Sequence, residues 1–389
     1  MQSFEHAFTA LRLFHGHESL QSLGAELDRV GSRRAVIFCG KSIARNTNCL
    51  DLVRAALGPR YAGVFDGVMS HSPLLSVRSG MQFLATQNAD AVIAVGGGSA
   101  IVTARASSIL LAEGDDARQL CTQRSADGSL KSPRLNAAKL PQFVIPTTPT
   151  TACVKAGSAV FDADTGQRLA FFDPKTRAQA LFIHPQLACS APPQLVQTAS
   201  LNTLTMAIEG LESLTGDPIV DALLLHSIRL LAENLPLLGS NQDDGAMRGQ
   251  LIIAALMCGQ GTDFAGGGIA AVLSHSIGAR FHLNNGLLGS MILPHSMRFN
   301  EPITAKRIEK VAYALRDLPF NIHSSDSAID LVEQLLDTLN IPKRLRDLGV
   351  TQDTFNAIAE EAMLNWFLQS NPRKVNEPGT LTQLLQQAW

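Results

Sequence analysis

The residues best suited to chemistry lie at two turns rich in glycine and threonine and in one later histidine motif. Gly96-Gly97-Gly98-Ser99 follows the apolar run ADAVIAV and precedes AIVTARASSILLAE, which is compatible with a helix. Bare amides at a helix N-terminus suit a phosphate, because no Cβ blocks the approach and the helix dipole favours an anion. The run is not GxGxxG, and a glycine-rich strand exit can equally be a plain turn. Pro146-Thr147-Thr148-Pro149-Thr150-Thr151 ends a second apolar run. Its hydroxyls are expected at the same carboxyl edge of a sheet, where open α/β sheets bind ligands, although an ordinary Thr-rich turn reads the same way. His275 in LSHSIG offers an imidazole that can pass a proton near neutral pH; a solitary helical histidine is also a common structural residue.

The elements that must position these groups change character along the chain. RRAVIFCG (33 to 40), ADAVIAVGGGS (89 to 99) and LPQFVIPTTPT (140 to 150) read as buried parallel strands, with LDLVRAALG and SVRSGMQFLATQNA between them at helical spacing. Strands alternating with helices indicate a doubly wound, mainly parallel α/β sheet. After Ala191-Pro192-Pro193, VDALLLHSIRLLAENLPLL, RGQLIIAALMCGQ, AIDLVEQLLDTLN and DTFNAIAEEAMLNWFLQ all carry helical periodicity. The expected organisation is an α/β dinucleotide-binding domain over 1–190 and an all-α domain over 191–389.

Composition narrows the partners. A formal charge of −2 and 46% hydrophobic residues describe a chain that can bury two cores and lacks the basic excess of a nucleic-acid binder. The six cysteines are scattered without metal-knuckle spacing, which fits reduced thiols and a cytoplasmic location. The N-terminal residues show neither a signal-peptide pattern nor a membrane-length apolar run, so a soluble, unprocessed protein acting on a small molecule is expected, with no membrane partner.

FDGVMSHSP, ADAVIAVGGGSA, VIPTTPTTA, FDADTGQR, HPQLACSAPPQL, NTLTMAIEGLES, LSHSIGARF and LPHSMRFN stand in the order and at about the spacing of the iron-containing (group III) alcohol dehydrogenases, including maleylacetate reductases. The chain resembles that family nearly end to end. The resemblance implies a nucleotide-binding N-terminal domain, a helical C-terminal domain, catalysis in the cleft between them, and a homodimer. It implies that Gly97, Gly98 and Ser99 hold the cofactor diphosphate and that Thr147, Thr148 and Thr151 line the cofactor groove. Arg168 falls where the family commonly has a lysine near the cofactor; a solvated turn arginine reads the same. The family's aspartate and lysine after the glycine loop fall at Thr103 and Arg105.

The same carry-over puts the family's metal ligands at Asn202 and Met206, then at Ala271 and Asn285. Amide, thioether and methyl are poor ligands for iron or zinc, and His282 three residues before Asn285 would restore one ligand at most. No metal is expected. His275 matches a family histidine beside the nicotinamide and is the expected proton donor. Asn202, Asn285 and Lys155 are candidate donors to a developing oxyanion, and Met206 and Arg280 candidate substrate contacts, with Arg280 able to hold a carboxylate by two prongs. At the second strand's end, where NAD enzymes often place an acid, stands Gly40, followed by Lys41, Ser42 and Arg45. That favours NADP over NAD, although a solvated basic loop explains the same residues.

The expected function is metal-independent hydride transfer between NAD(P)H and a small carbonyl, imine or activated alkene. A chemistry like that of dehydroquinate synthase also relies on a metal. A silent relative that binds a nucleotide or a partner protein remains the other class.

Overall fold

The computed structural model describes residues 3–125, 129–318 and 327–389. The chain divides into two compact units: Phe8–Pro192 with Asp244–Ile252, and Met1–Ala7 with Pro193–Asp243 and Ile253–Trp389.

Among the described residues, the first unit holds ten strands: β1 (Arg12–His15), β2 (Ala35–Gly40), β3 (Tyr61–Val68), β4 (Ala91–Gly96), β5 (Gln123–Arg124), β6 (Leu130–Lys131), β7 (Gln142–Pro146), β8 (Gly157–Asp162), β9 (Gln167–Phe172) and β10 (Ala178–Ile183). Six form one sheet in the order β1-β10-β7-β4-β2-β3, and every neighbouring pair in it is parallel. β5 with β6 and β8 with β9 form antiparallel pairs outside it. Apolar residues run without alternation along β2, β4 and β7 because the inner strands are buried on both faces: Ile37, Ile93 and Phe143 are fully covered.

The three strands expected from sequence, β2, β4 and β7, are three of the four inner ones. The edge β1 is largely exposed and the edge β3 only half-buried, so neither carries the buried apolar pattern that signals a strand. β10, the fourth inner strand, is nearly as buried, but Gln179 interrupts it, leaving only residues 180–183 as an unbroken apolar run before a helical turn. From β2 the chain moves outward to β3 and then returns to β4 on the other side of β2. The carboxyl ends of β2 and β4 therefore flank the point where the winding reverses, where open α/β sheets bind ligands.

Two helices fix the exit of β4. The helix Leu74–Thr86 crosses so closely that a Cβ on Gly80 would lie 2.5 Å from Ser107 Oγ and 2.7 Å from the Phe38 ring. Ser107, on the helix Gly98–Glu113, donates a hydrogen bond of 2.8 Å to the Val77 carbonyl.

Among the described residues of the second unit there are helices and turns but no strand. The helices that matter for the site are Pro193–Glu212, Ile269–Phe281 and Asn285–Leu315. Asn284 starts the last of these, its Oδ1 accepting from Gly286 N at 2.8 Å. A Cβ on Gly286 would fall 1.9 Å from the Thr198 carbonyl, so only glycine lets these two helices meet there. DTFNAIAEEAMLNWFLQ does not form one helix: Phe355–Ala362 is helical, then Asn365 caps a new turn, its Oδ1 accepting from Phe367 N at 3.1 Å.

Two glutamates are buried in this unit. Glu209 accepts from the backbone amides of Gly268 at 3.0 Å and Ala270 at 2.6 Å, at the start of Ile269–Phe281. Glu212 accepts from Asn300 Nδ2 at 3.2 Å, and Asn300 in turn accepts from Asn371 Nδ2 at 2.9 Å. Burial pushes Glu209 up to about 7 and Glu212 up to about 8, from an ordinary 4.5. Between those limits the folded protein holds protons that the unfolded chain has released, so stability falls as pH rises from about 5 to about 8. Each group contributes at most about 1.4 kcal/mol per pH unit to that slope. Glu212→Gln, which cannot ionise, should flatten the fall in Tm between pH 5 and pH 8 seen by calorimetry; parallel profiles for variant and wild type would contradict the assignment.

Candidate functional site

The sequence-derived cofactor residues gather at one edge of the first unit. Phe38 pairs with Ala94 and Gly96 with Pro146, which brings the ends of β2, β4 and β7 side by side. Gly40, Gly97, Gly98, Ser99, Thr147, Thr148 and Thr151 follow directly from those ends. Thr147 N donates to the Gly96 carbonyl at 3.1 Å, extending the β4–β7 pairing by one residue into the turns.

Gly96 has φ +142°, which L side chains rarely adopt. A Cβ on Gly97 would meet Thr148 Oγ1 at 2.7 Å, and one on Gly98 would meet Thr150 Oγ1 at 3.1 Å. The glycines thus let the threonine turn close on the helix Gly98–Glu113. No side chain caps that helix at Gly97, and residues 97 to 99 are half-buried rather than covered. An anion fits such a helix start through hydrogen bonds and the helix dipole.

Gly40 needs no special backbone, at φ −83° and ψ 164°, and its Cβ position is open, 3.5 Å from the Val68 carbonyl. Lys41, Ser42 and Arg45 are exposed on the short helix that follows. Lys155 is half-buried just ahead of β8. Arg168 is exposed on β9, outside the six-stranded sheet, and in register with Phe161 of β8, whose amide donates to the Ser72 carbonyl at 3.2 Å.

In the second unit, Ala271, His275 and Gly278 repeat at helical spacing along one stripe of Ile269–Phe281. His275 is half-buried, its Nδ1 3.4 Å from Asn365 Nδ2 and its ring centroid 6.0 Å from that of Phe367. An amide nitrogen only donates, so Nδ1 accepts, and the neutral ring carries its proton on Nε2. Asn285 packs against Gly278, whose Cβ would lie 2.2 Å from Asn285 Oδ1. Arg280 stands away from this stripe, exposed and 3.9 Å from Glu361. His282 is exposed at the left-handed end of the helix, φ 55°.

The four positions carried over as metal ligands do not fit a divalent cation. Asn202 Nδ2 lies 3.7 Å from Met206 Sδ, an amide–thioether contact within one helix turn. Ala271 is a buried methyl, and Asn285 Oδ1 is turned onto the Gly278 backbone. Iron(II) and zinc are held by carboxylates, imidazoles or thiolates, and none of the four supplies one.

Two contributors escaped the sequence reading. Ser72, buried in FDGVMSHSP at φ 47°, donates from Oγ to the Ser99 carbonyl at 3.2 Å and so ties that segment to the glycine-rich turn. Asn365 orients His275. Ser72 stood inside a quoted motif, whereas Asn365 carried no signal because the turn that places it was read as helix.

The family description "Iron-containing alcohol dehydrogenase" matches residues 10–185, and "Fe-containing alcohol dehydrogenase family, C-terminal" matches residues 196–389. The maleylacetate reductase of Sphingobium indicum is 27% identical over 381 residues, 97% of this chain and 95% of that protein. The lactaldehyde reductase of Escherichia coli is 27% identical over 384 residues, 96% of this chain and 97% of its own length. The crystal structure of sulfoacetaldehyde reductase from Bifidobacterium kashiwanohense in complex with NAD+ superposes with a TM-score of 0.85 at 17% identity, covering 100% of this chain and 99% of that one.

Proposed function

This chain belongs to the iron-containing alcohol dehydrogenase family, and on that premise we propose that it transfers hydride between NAD(P)H and a small carbonyl or alcohol without a catalytic metal. The observation that carries the reading is the contrast between an intact phosphate edge at Gly97, Gly98 and Thr148 and a ligand set reduced to Asn202, Met206, Ala271 and Asn285. The nucleotide diphosphate rests on the first-turn amides after β4. The adenosine ribose lies toward Gly40, where the absent acid and the nearby Lys41 and Ser42 admit a 2′-phosphate and favour NADP.

NAD(P)H, which the turns at residues 97–99 and 147–151 would hold, would supply the hydride that reduces a carbonyl carbon while the carbonyl π pair moves to oxygen. His275 gives that oxygen its Nε2 proton and regains one from solvent, so NAD(P)H, a proton and the carbonyl become NAD(P)+ and the alcohol. The Asn202 and Asn285 amides are the donors available to the developing oxyanion in this unit, in place of a Lewis acid. The relatives named for maleylacetate and lactaldehyde support a small carbonyl compound as substrate.

The same loss of four ligands also suits a relative that binds a nucleotide and turns nothing over. Fluorescence titration with NADPH and NADH, followed by a screen of short aldehydes and keto acids, separates the readings. Micromolar NADPH binding with turnover supports the reductase, binding without turnover supports the silent relative, and no binding removes both.

A further inference from the structure

Resting on the nucleotide-binding reading above, we infer that Arg105 is a positioning residue that sets the width of the diphosphate cradle. Arg105 lies two turns into the helix Gly98–Glu113, is 1% exposed, and is among the largest fully covered side chains of the protein. Its guanidinium donates from one terminal nitrogen to the Gly157 carbonyl at 2.6 Å and from the other to the Ala152 carbonyl at 2.8 Å. Ala152 sits in the single turn Thr151–Cys153 that closes the threonine segment, and Gly157 opens β8. Thr150, which caps that turn, accepts from Ala152 N at 3.3 Å.

The threonine segment is thereby held at both ends. At the near end Thr147 N is bonded to the Gly96 carbonyl; at the far end Arg105 grips the carbonyl after Thr151. Between them, Thr148 and Thr150 hydroxyls rest against the Cα atoms of Gly97 and Gly98. The helix that presents the phosphate-binding amides also carries the side chain that fixes the opposite wall. A planar guanidinium can serve two carbonyls at once in fixed geometry, whereas an ammonium is a point donor on a flexible stem.

The test compares Arg105→Lys with wild type by displacement of NADPH fluorescence, using ADP and adenosine as separate probes, at a temperature where melting shows both proteins folded. Arg105→Lys should weaken NADPH and ADP about tenfold and leave adenosine within about twofold, because the disturbed contacts are those of the diphosphate. Thr150→Val, which loosens the same turn from the other side, should give the same pattern and serves if Arg105→Lys does not fold. Equal ADP affinity in variant and wild type, or parallel losses for ADP and adenosine, would overturn the inference. Failure of wild type to bind ADP or NADPH would instead defeat the nucleotide reading on which it rests.

Discussion

His275→Ala is expected to lower kcat for carbonyl reduction by about 10²–10³-fold, within the usual range for a general acid, while NADPH affinity changes by less than about twofold. The split follows from placement. His275 belongs to the helical unit, where its Nδ1 lies 3.4 Å from Asn365 Nδ2, whereas the glycine and threonine turns belong wholly to the first unit. Asn365→Ala should act in the same direction more weakly, about tenfold, because the ring stays in place but its tautomer is no longer held. Steady-state kinetics with a parallel nucleotide titration would check both. A His275→Ala enzyme with kcat within about threefold of wild type would place the proton donor elsewhere.

Gly40→Asp is expected to reverse cofactor preference. The backbone at Gly40 admits any residue, and its Cβ direction is clear to 3.5 Å, so the change introduces charge without strain. A carboxylate there repels a 2′-phosphate and accepts from ribose hydroxyls. NADPH should weaken by about 100-fold, roughly 2.7 kcal/mol, and NADH should tighten. Paired Kd measurements decide it: an unchanged NADPH/NADH ratio would mean that preference is set by residues other than Gly40.

The parts of the fold legible in the sequence were those that burial writes into composition. β2, β4 and β7 are covered on both faces and therefore read as unbroken apolar runs, whereas β1 and β3, at the sheet edges, carry mixed patterns that local reading passes over. Gly97 and Thr148 were legible as chemistry because both turns end buried strands, but their mutual closeness, 2.7 Å from a Cβ to a hydroxyl, is a tertiary fact. Arg105 shows the reverse: in the sequence it is only where the family has a lysine, and the structure gives its guanidinium to the carbonyls of Gly157 and Ala152. Asn365 was hidden because helical periodicity continues past Ala362 while the backbone does not.

The central claim is that hydride transfer proceeds here without a metal. Turnover of the aldehyde found in the screen should be measured on chelator-treated protein, with metal content assayed on the same sample, before and after one equivalent of iron(II) or zinc. The account predicts the same kcat/KM, within about twofold, in the metal-free and metal-supplemented samples. An increase of tenfold or more on adding stoichiometric metal would contradict it and show that Asn202, Met206, Ala271 and Asn285 are not where the ion is held.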